Sequence, residues 1–160
     1  MIRPLHLNDA EELLDIYNYY VLNSIVTFDD KALSLDAFKD KIVRINADYP
    51  FIVFEDNNDI LGYAYGSRWR PKPAYKHTVE STVYVKHDAL GKQIGTKLYT
   101  ALLSELKAQD YHIVLGGLTL PNDASVKLHE KFGFKKVAHF KEVGLKFGKW
   151  LDVGFWQLNF

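Results

Sequence analysis

The stretch Thr78–Leu106 constrains this chain most. Its first part, "TVESTVYV", is rich in β-branched residues and alternates with period two, which reads as a strand. Its last part carries Ile94, Leu98, Leu102 and Leu106 on one helical stripe. Between them lies a polar turn, "KHDALGKQIG", with glycines at 91 and 95. A strand that turns at once into a helix puts unpaired backbone N–H groups and a favourable dipole at the strand's end, where they attract phosphate. The same turn also serves as a ligand-free connection. Neither common nucleotide fingerprint fits it. Thr96 follows Gly95 where the P-loop needs lysine, and the three-glycine dinucleotide spacing is absent.

The rest of the chain frames this unit. Ile2–His6 reads as a short strand. A helix follows, with Asn8 as its cap, Glu11 completing the box, and Ala10, Leu13, Leu14 and Tyr17 on its apolar face. Ser34 starts a second helix with Phe38, Ile42 and Ile45 as its stripe. "FIVFED" and "ILGYAYGSRWR" are strands joined by the turn "DNND", and Pro71 and Pro73 end the second. "HIVLGGLTL" is a strand, Pro121-Asn122 opens a short helix ending at Gly133, and two strand-like runs close the chain. The predicted order is βααβββαβαββ, a mixed α/β domain on one central sheet of about seven strands and four helices. With 160 residues and no repeat or linker-like stretch, the chain reads as one domain, 1–160.

Composition removes several function classes. Lysine plus arginine balances aspartate plus glutamate, so bulk nucleic-acid binding is not expected. The lysine-rich run Lys127–Lys149 reads as a solvated face. There is no cysteine, which excludes disulfides, thiolate metal sites and a cysteine nucleophile. No convincing histidine–carboxylate cluster suggests a metal, and no G-x-S-x-G elbow suggests a serine hydrolase. The start, "MIRPLHLNDAEELL", lacks a signal-like apolar run, and no stretch reaches a membrane span, so a cytoplasmic protein without membrane association is expected.

Three residues invite a chemical reading. Alternation places Val79, Ser81, Val83 and Val85 on one face of their strand and Glu80, Thr82 and Tyr84 on the other. Glu80 either faces solvent at a sheet edge or lines a cleft, where partial burial would raise its pKa toward general-base range. Asn122 caps its helix, and can also present an amide to a ligand. His129, two turns on, is either a hydrogen-bonded or surface histidine or points to the same ligand.

Taken together, "YVKHDALGKQIG", "VESTVYV", "LPNDASVKLHE" and "FGKWLDVGFWQL" resemble the GNAT superfamily of N-acetyltransferases, and within it the phosphinothricin and methionine sulfoximine acetyltransferases, over nearly the whole chain. The resemblance implies a GNAT fold with strands splayed at the cofactor site, acetyl-CoA as donor, no metal, and a small amino-acid-like acceptor acetylated on its α-amine in a ternary complex. It implies that Val83, Tyr84 and Val85 serve the pantetheine arm, that Gly91, Lys92, Gln93, Ile94, Gly95 and Thr96 hold the pyrophosphate, and that Asn122 touches the cofactor. Glu80 matches the family's base. His129 stands where much of the superfamily has a tyrosine that protonates the leaving thiolate. Arg70, Pro71 and Lys72, with Glu80, Ser81 and Thr82, match substrate-lining segments, and Phe28 falls where an aromatic covers the substrate. Arg70 suits a carboxylate, since a guanidinium pairs with one bidentately. The chain departs from the superfamily at Leu90 and Gln93, the latter where glycine is usual. A homodimer is also implied, for which the tail "FWQLNF" could supply an interface, though it reads equally as a core strand. Two other functions share the fold: acetylation of peptide or protein N-termini, and non-catalytic sensing of acyl-CoA.

Overall fold

In the computed structural model, which describes residues 1–160, seven strands form one sheet in the order β1-β2-β3-β4-β5-β7-β6. The strands are β1 (Ile2–Pro4), β2 (Phe51–Asp56), β3 (Asp59–Arg68), β4 (Thr78–Val85), β5 (Ile113–Leu120), β6 (Lys135–Lys146) and β7 (Lys149–Asn159). The helices are α1 (Ala10–Asn23), α2 (Leu35–Asp48), α3 (Ile94–Ala108) and α4 (Asp123–Lys131). The expected order holds throughout.

Every pairing is antiparallel except β4 with β5, which α3 connects. Both faces of the sheet are covered, so β2 is apolar on both sides. Phe51 and Val53 pack toward α1 and α2, and Ile52 and Phe54 pack toward α3. The turn between β2 and β3 places Asn57 and Asn58 both at positive φ, the two-residue geometry that suits a right-twisted hairpin. Ser34 caps α2 by accepting from the Ala37 N–H at 3.2 Å.

One expectation is corrected. Asn8 does not cap α1, because Leu7–Asp9 forms a separate 3-10 turn ahead of it. The Asp9 carboxylate instead accepts from the His6 N–H at 2.7 Å and is gripped at both oxygens by Arg3. Of the two readings of the C-terminal tail, the structure has the core strand: β7 runs between β5 and β6, and Trp156 is buried. A group of exposed apolar side chains lies on β6, the following turn and the start of β7, at Val137, Phe140, Val143, Leu145, Phe147 and Trp150.

Arg3 also holds Glu55 at 2.6 Å, so one guanidinium ties β1, β2 and the start of α1. Burial works against the charge on Asp9, but the Arg3 and His6 bonds prevail and its pKa lies below the usual aspartate range. The stabilisation is therefore present above the unfolded aspartate pKa and lost as pH falls through the depressed folded value. Arg3→Met should cost about 1–3 kcal/mol in denaturant unfolding at pH 7. The gap from wild type should start to narrow as pH falls to roughly 4, where the aspartate of the unfolded chain begins to protonate, and close below the depressed folded value.

Candidate active site

β4 and β5 pair only at Thr78–Ile113, Val79–Val114 and Glu80–Leu115. Beyond Glu80 they diverge, β4 staying on β3 and β5 on β7. The fork leaves the β5-facing edge of Ser81–Val85 without a strand partner. A cavity of about 680 Å³ opens there, bounded by β4, β5, the loop before α3 and the start of α4.

A chain of buried polar groups sits at the crotch of the fork. The Tyr99 hydroxyl on α3 lies 2.9 Å from Ser81 Oγ on β4 and 2.7 Å from His129 Nε2 on α4. His129 Nδ1 lies 2.7 Å from the Ser125 carbonyl, an acceptor only, so Nδ1 carries the proton and Nε2 accepts from Tyr99. Burial lowers the His129 pKa against the opposing pull of the Ser125 carbonyl, so the ring is neutral at neutral pH. Gly116 admits it: a Cβ there would lie 2.5 Å from Nε2. The acid role expected of His129 needs a proton on the nitrogen that here accepts from Tyr99. A deprotonated Nε2 that already accepts a hydrogen bond has no proton for a thiolate.

Glu80 is the last residue of β4 that pairs with β5, on a central strand rather than an edge. It opens onto the cavity, and burial alone raises its pKa. No protein group donates to its carboxylate. The predicted alternation holds. Val79 and Ser81 face α3, while the Tyr84 ring packs among Tyr17, Tyr20 and Tyr63 on the opposite side. The Tyr84 hydroxyl reaches Thr27, which also lines the cavity.

The loop before α3 forms a cradle. Gly91 has φ +82, and nothing lies within 4 Å of where its Cβ would be. Gln93, the residue before α3, has φ 60 and ψ 18 and no side-chain capping bond. The N–H groups from Gly91 to Thr96 donate to no protein acceptor, since the first helical bond there runs from Lys97 to the Gln93 carbonyl. Asn122 caps α4 through Ser125 N–H at 3.1 Å and still lines the cavity.

The cavity gathers Glu80, Ser81, Thr82, Val83, Tyr84 and Val85 with Gly91, Gln93, Ile94, Gly95, Thr96, Asn122 and His129. It does not gather the rest. Lys92 is exposed beside it. Arg70, Pro71 and Lys72 lie on an exposed connection beyond β3, where the prolines end strand pairing and the Arg70 guanidinium stacks on Trp69 at 4.9 Å. Phe28 also lies outside, its ring turned onto Gly144 of β6. Sequence reasoning missed Tyr99. A tyrosine among the buried leucines of α3 needs a partner for its hydroxyl, and that was the available signal. It also missed Val26 and Thr27, which line the cavity from the loop after α1.

Residues 2–154 match the family model "Acetyltransferase (GNAT) domain". The chain belongs to the GNAT acetyltransferases. It is 39% identical to the phosphinothricin N-acetyltransferase of Streptomyces viridochromogenes, over 99% of this chain and 87% of that protein. It is 34% identical to the L-methionine sulfoximine/L-methionine sulfone acetyltransferase of Salmonella typhimurium, over 94% and 89%. Among solved structures, a GNAT phosphinothricin acetyltransferase from Sinorhizobium meliloti in complex with acetyl-CoA superposes with a TM-score of 0.96 at 28% identity, covering 99% of this chain and 87% of that one. A ribosomal-protein-alanine N-acetyltransferase from Brucella melitensis superposes with a TM-score of 0.98 at 33% identity, covering 100% and 99%. The protein is an N-acetyltransferase that uses acetyl-CoA. Its own residues fit that donor: free N–H groups at a helix N-terminus for the diphosphate, and an unpaired strand edge for the amide-bearing arm.

Gln93 holds a left-handed conformation that a glycine would adopt without strain. Gln93→Gly should keep or raise the melting temperature and tighten acetyl-CoA in calorimetry, whereas Gln93→Val should lose about 1 kcal/mol or more of stability. Weaker binding by the glycine form would make the Gln93 side chain itself a contact.

Proposed function

We propose that this GNAT enzyme acetylates the α-amine of a small amino acid or amino-acid analogue of the phosphinothricin, methionine sulfoximine or methionine sulfone type, by direct transfer from acetyl-CoA in a ternary complex. The observation that carries the reading is Glu80: a half-buried carboxylate at the fork, open to the cavity, with no protein donor and a raised pKa. The acceptor arrives as an ammonium and must lose a proton before its nitrogen can attack the thioester carbonyl. Glu80, directly or through a water, takes that proton. The free backbone edge of β4 beyond Ser81 supplies N–H donors where the carbonyl oxygen gains charge. The C–S bond then breaks, and the departing thiolate takes a proton from the Tyr99 hydroxyl or from solvent.

His129 acts through Tyr99. Neutral and hydrogen-bonded at both nitrogens, it fixes the Tyr99 hydroxyl beside Ser81, next to the base. Burial pushes the Tyr99 pKa up, against the Ser81 hydrogen bond, so the hydroxyl stays protonated across the working range. Exposed cations at Arg70 and Lys72 stand near the end of β3 and suit an acceptor carboxylate arriving from solvent. Acetyl-CoA as donor suits a cytoplasmic enzyme. The exposed apolar row on β6 and its turn suits a homodimer interface. The likeness to a ribosomal-protein-alanine acetyltransferase supports a second reading, acetylation of a protein N-terminus.

Thiol release from acetyl-CoA separates the two. Phosphinothricin and L-methionine sulfoximine should be turned over, and alanine-initiated peptides should not. The reverse result would overturn the small-acceptor reading. Glu80→Gln should bind acetyl-CoA normally and lose about 10²-fold or more in kcat/KM. Because the Glu80 pKa is raised, the low-pH limb of kcat/KM should lie above the ordinary carboxylate range and vanish in the variant.

Tyr99→Phe and His129→Phe break the same hydrogen bond. Each should lower kcat by a similar factor, and the double variant should lose no more than either alone. Neither should remove a limb from the pH profile, since His129 stays neutral through the working range. A His129 limb in the wild-type profile, or a Tyr99→Phe form with wild-type rate, would return the acid role to His129.

A further inference from the structure

Contacts from two sides seat the loop after α1, and two of them come from the far end of the sheet. The Phe28 ring rests on Gly144, where an added Cβ would lie 2.2–2.8 Å from three ring carbons. The Lys146 ammonium donates to the Thr27 carbonyl at 2.7 Å. On the α1 side, the Tyr17 hydroxyl donates to Asp29, and Asn18 pairs with both the N–H and the carbonyl of Leu33. The residues so held, Val26 and Thr27, line the cavity in company with Glu80, Thr82 and Tyr84.

Gly144 and Lys146 are costly choices for their positions. β6 and β7 fall out of register between Phe140 and Gly144, with Glu142 at positive φ, and that irregularity delivers Gly144 opposite Leu151. Lys146 is 4% exposed in a hairpin whose other lysines are in water. Its ammonium has one carbonyl and the face of Phe147, 5.0 Å away, with Asp29 and Asp30 nearby. A buried ammonium so sparsely partnered weakens the fold locally, and an apolar residue would pack there at less cost. What the lysine gives in return is a charged hydrogen bond to the backbone of one loop. That loop lines the cavity together with Glu80, its Thr27 beside Tyr84 and its Asp29 near Tyr65, which also neighbours Glu80 and Thr82.

We propose that Gly144 and Lys146 are positioning residues for the acceptor, latching the Val26–Asp29 loop over the Glu80 end of the cavity and leaving the acetyl-CoA end untouched. The proposal rests on the small-acceptor reading for what the roofed space receives, but the latch itself is a statement about the loop. Phe28 then serves as an anchor of that loop, with its ring against β6 rather than against the acceptor.

The test uses Lys146→Met, Lys146→Arg and Gly144→Ala in the full chain, with circular dichroism confirming the fold. With L-methionine sulfoximine and phosphinothricin as acceptors, Lys146→Met and Gly144→Ala should raise the acceptor KM roughly tenfold or more. The calorimetric acetyl-CoA Kd should stay within about twofold, and Lys146→Arg should keep most of the acceptor affinity. Should Gly144→Ala not fold, Lys146→Met carries the test alone. Equal losses for acceptor and acetyl-CoA, or an unchanged acceptor KM in Lys146→Met, would overturn the proposal. Hydrogen exchange on the unliganded proteins reads the latch without any acceptor: residues 24–33 should exchange faster in Lys146→Met, and unchanged exchange there overturns the latch. If wild type acetylates neither acceptor while exchange responds as expected, the small-acceptor reading fails and the latch stands.

Discussion

The divergence of β4 from β5 is the constraint on which the site depends, and a buried polar chain holds it in place. Two parallel strands side by side would ordinarily zip along their whole length, because each unpaired backbone group in an interior is unfavourable. Here Ser81, Tyr99, His129 and the Ser125 carbonyl occupy the crotch, tying β4 to α3 and α4 just where pairing stops. The absence of a Cβ at Gly116 lets the imidazole sit against β5. Such a network is unforgiving, since removing one member strands another in a dry place. Its position fixes three things at once. Glu80 becomes the last residue of the closed ladder, half-buried with a raised pKa. The next residues of β4 keep a free edge. The N-terminus of α3 is left facing the same opening.

The two halves of the cavity are built in different ways. The donor half is local: one strand, one turn and one helix start, contiguous in sequence, with backbone N–H groups as the working parts. A cradle of this kind asks for backbone N–H groups, and Leu90 and Gln93 each keep theirs. The acceptor half is assembled from segments far apart in the chain. Thr27 is held by Lys146, 119 residues away, and Tyr84 packs on rings from α1 and β3.

That difference explains what the sequence disclosed. Period-two alternation in "VESTVYV" was enough to put Glu80 and Ser81 on opposite faces, and capping chemistry was enough to place Ser34 and Asn122. The left-handed turn at Gln93 was legible as a missing glycine. Long-range pairing was not legible. Asn8 looked like a cap because nothing local showed that Arg3 would claim Asp9 and start the chain with a separate turn. Arg70 was legible as a cation at a strand's end, but its place on an exposed connection, stacked on Trp69, was not. Lys146 was one of many lysines in a run that read as solvated, and only the fold of β6 over the loop after α1 buries it. Tyr99 was hidden by its neighbours: a stripe of leucines reads as core whether or not a hydroxyl sits among them.

The free edge of β4 has a consequence of another kind. An unpaired strand edge is the feature through which sheet proteins recruit one another into aggregates, and outer strands are commonly blunted to prevent it. This edge is the fourth strand of seven, walled by β3 on one side and by the diverging β5 on the other. A ligand's slender, amide-bearing arm can enter the gap, while a second protein's strand, carrying side chains on both faces, is too broad to follow. The domain thus keeps a row of hydrogen-bonding groups available for a small molecule without offering other chains a template to assemble on.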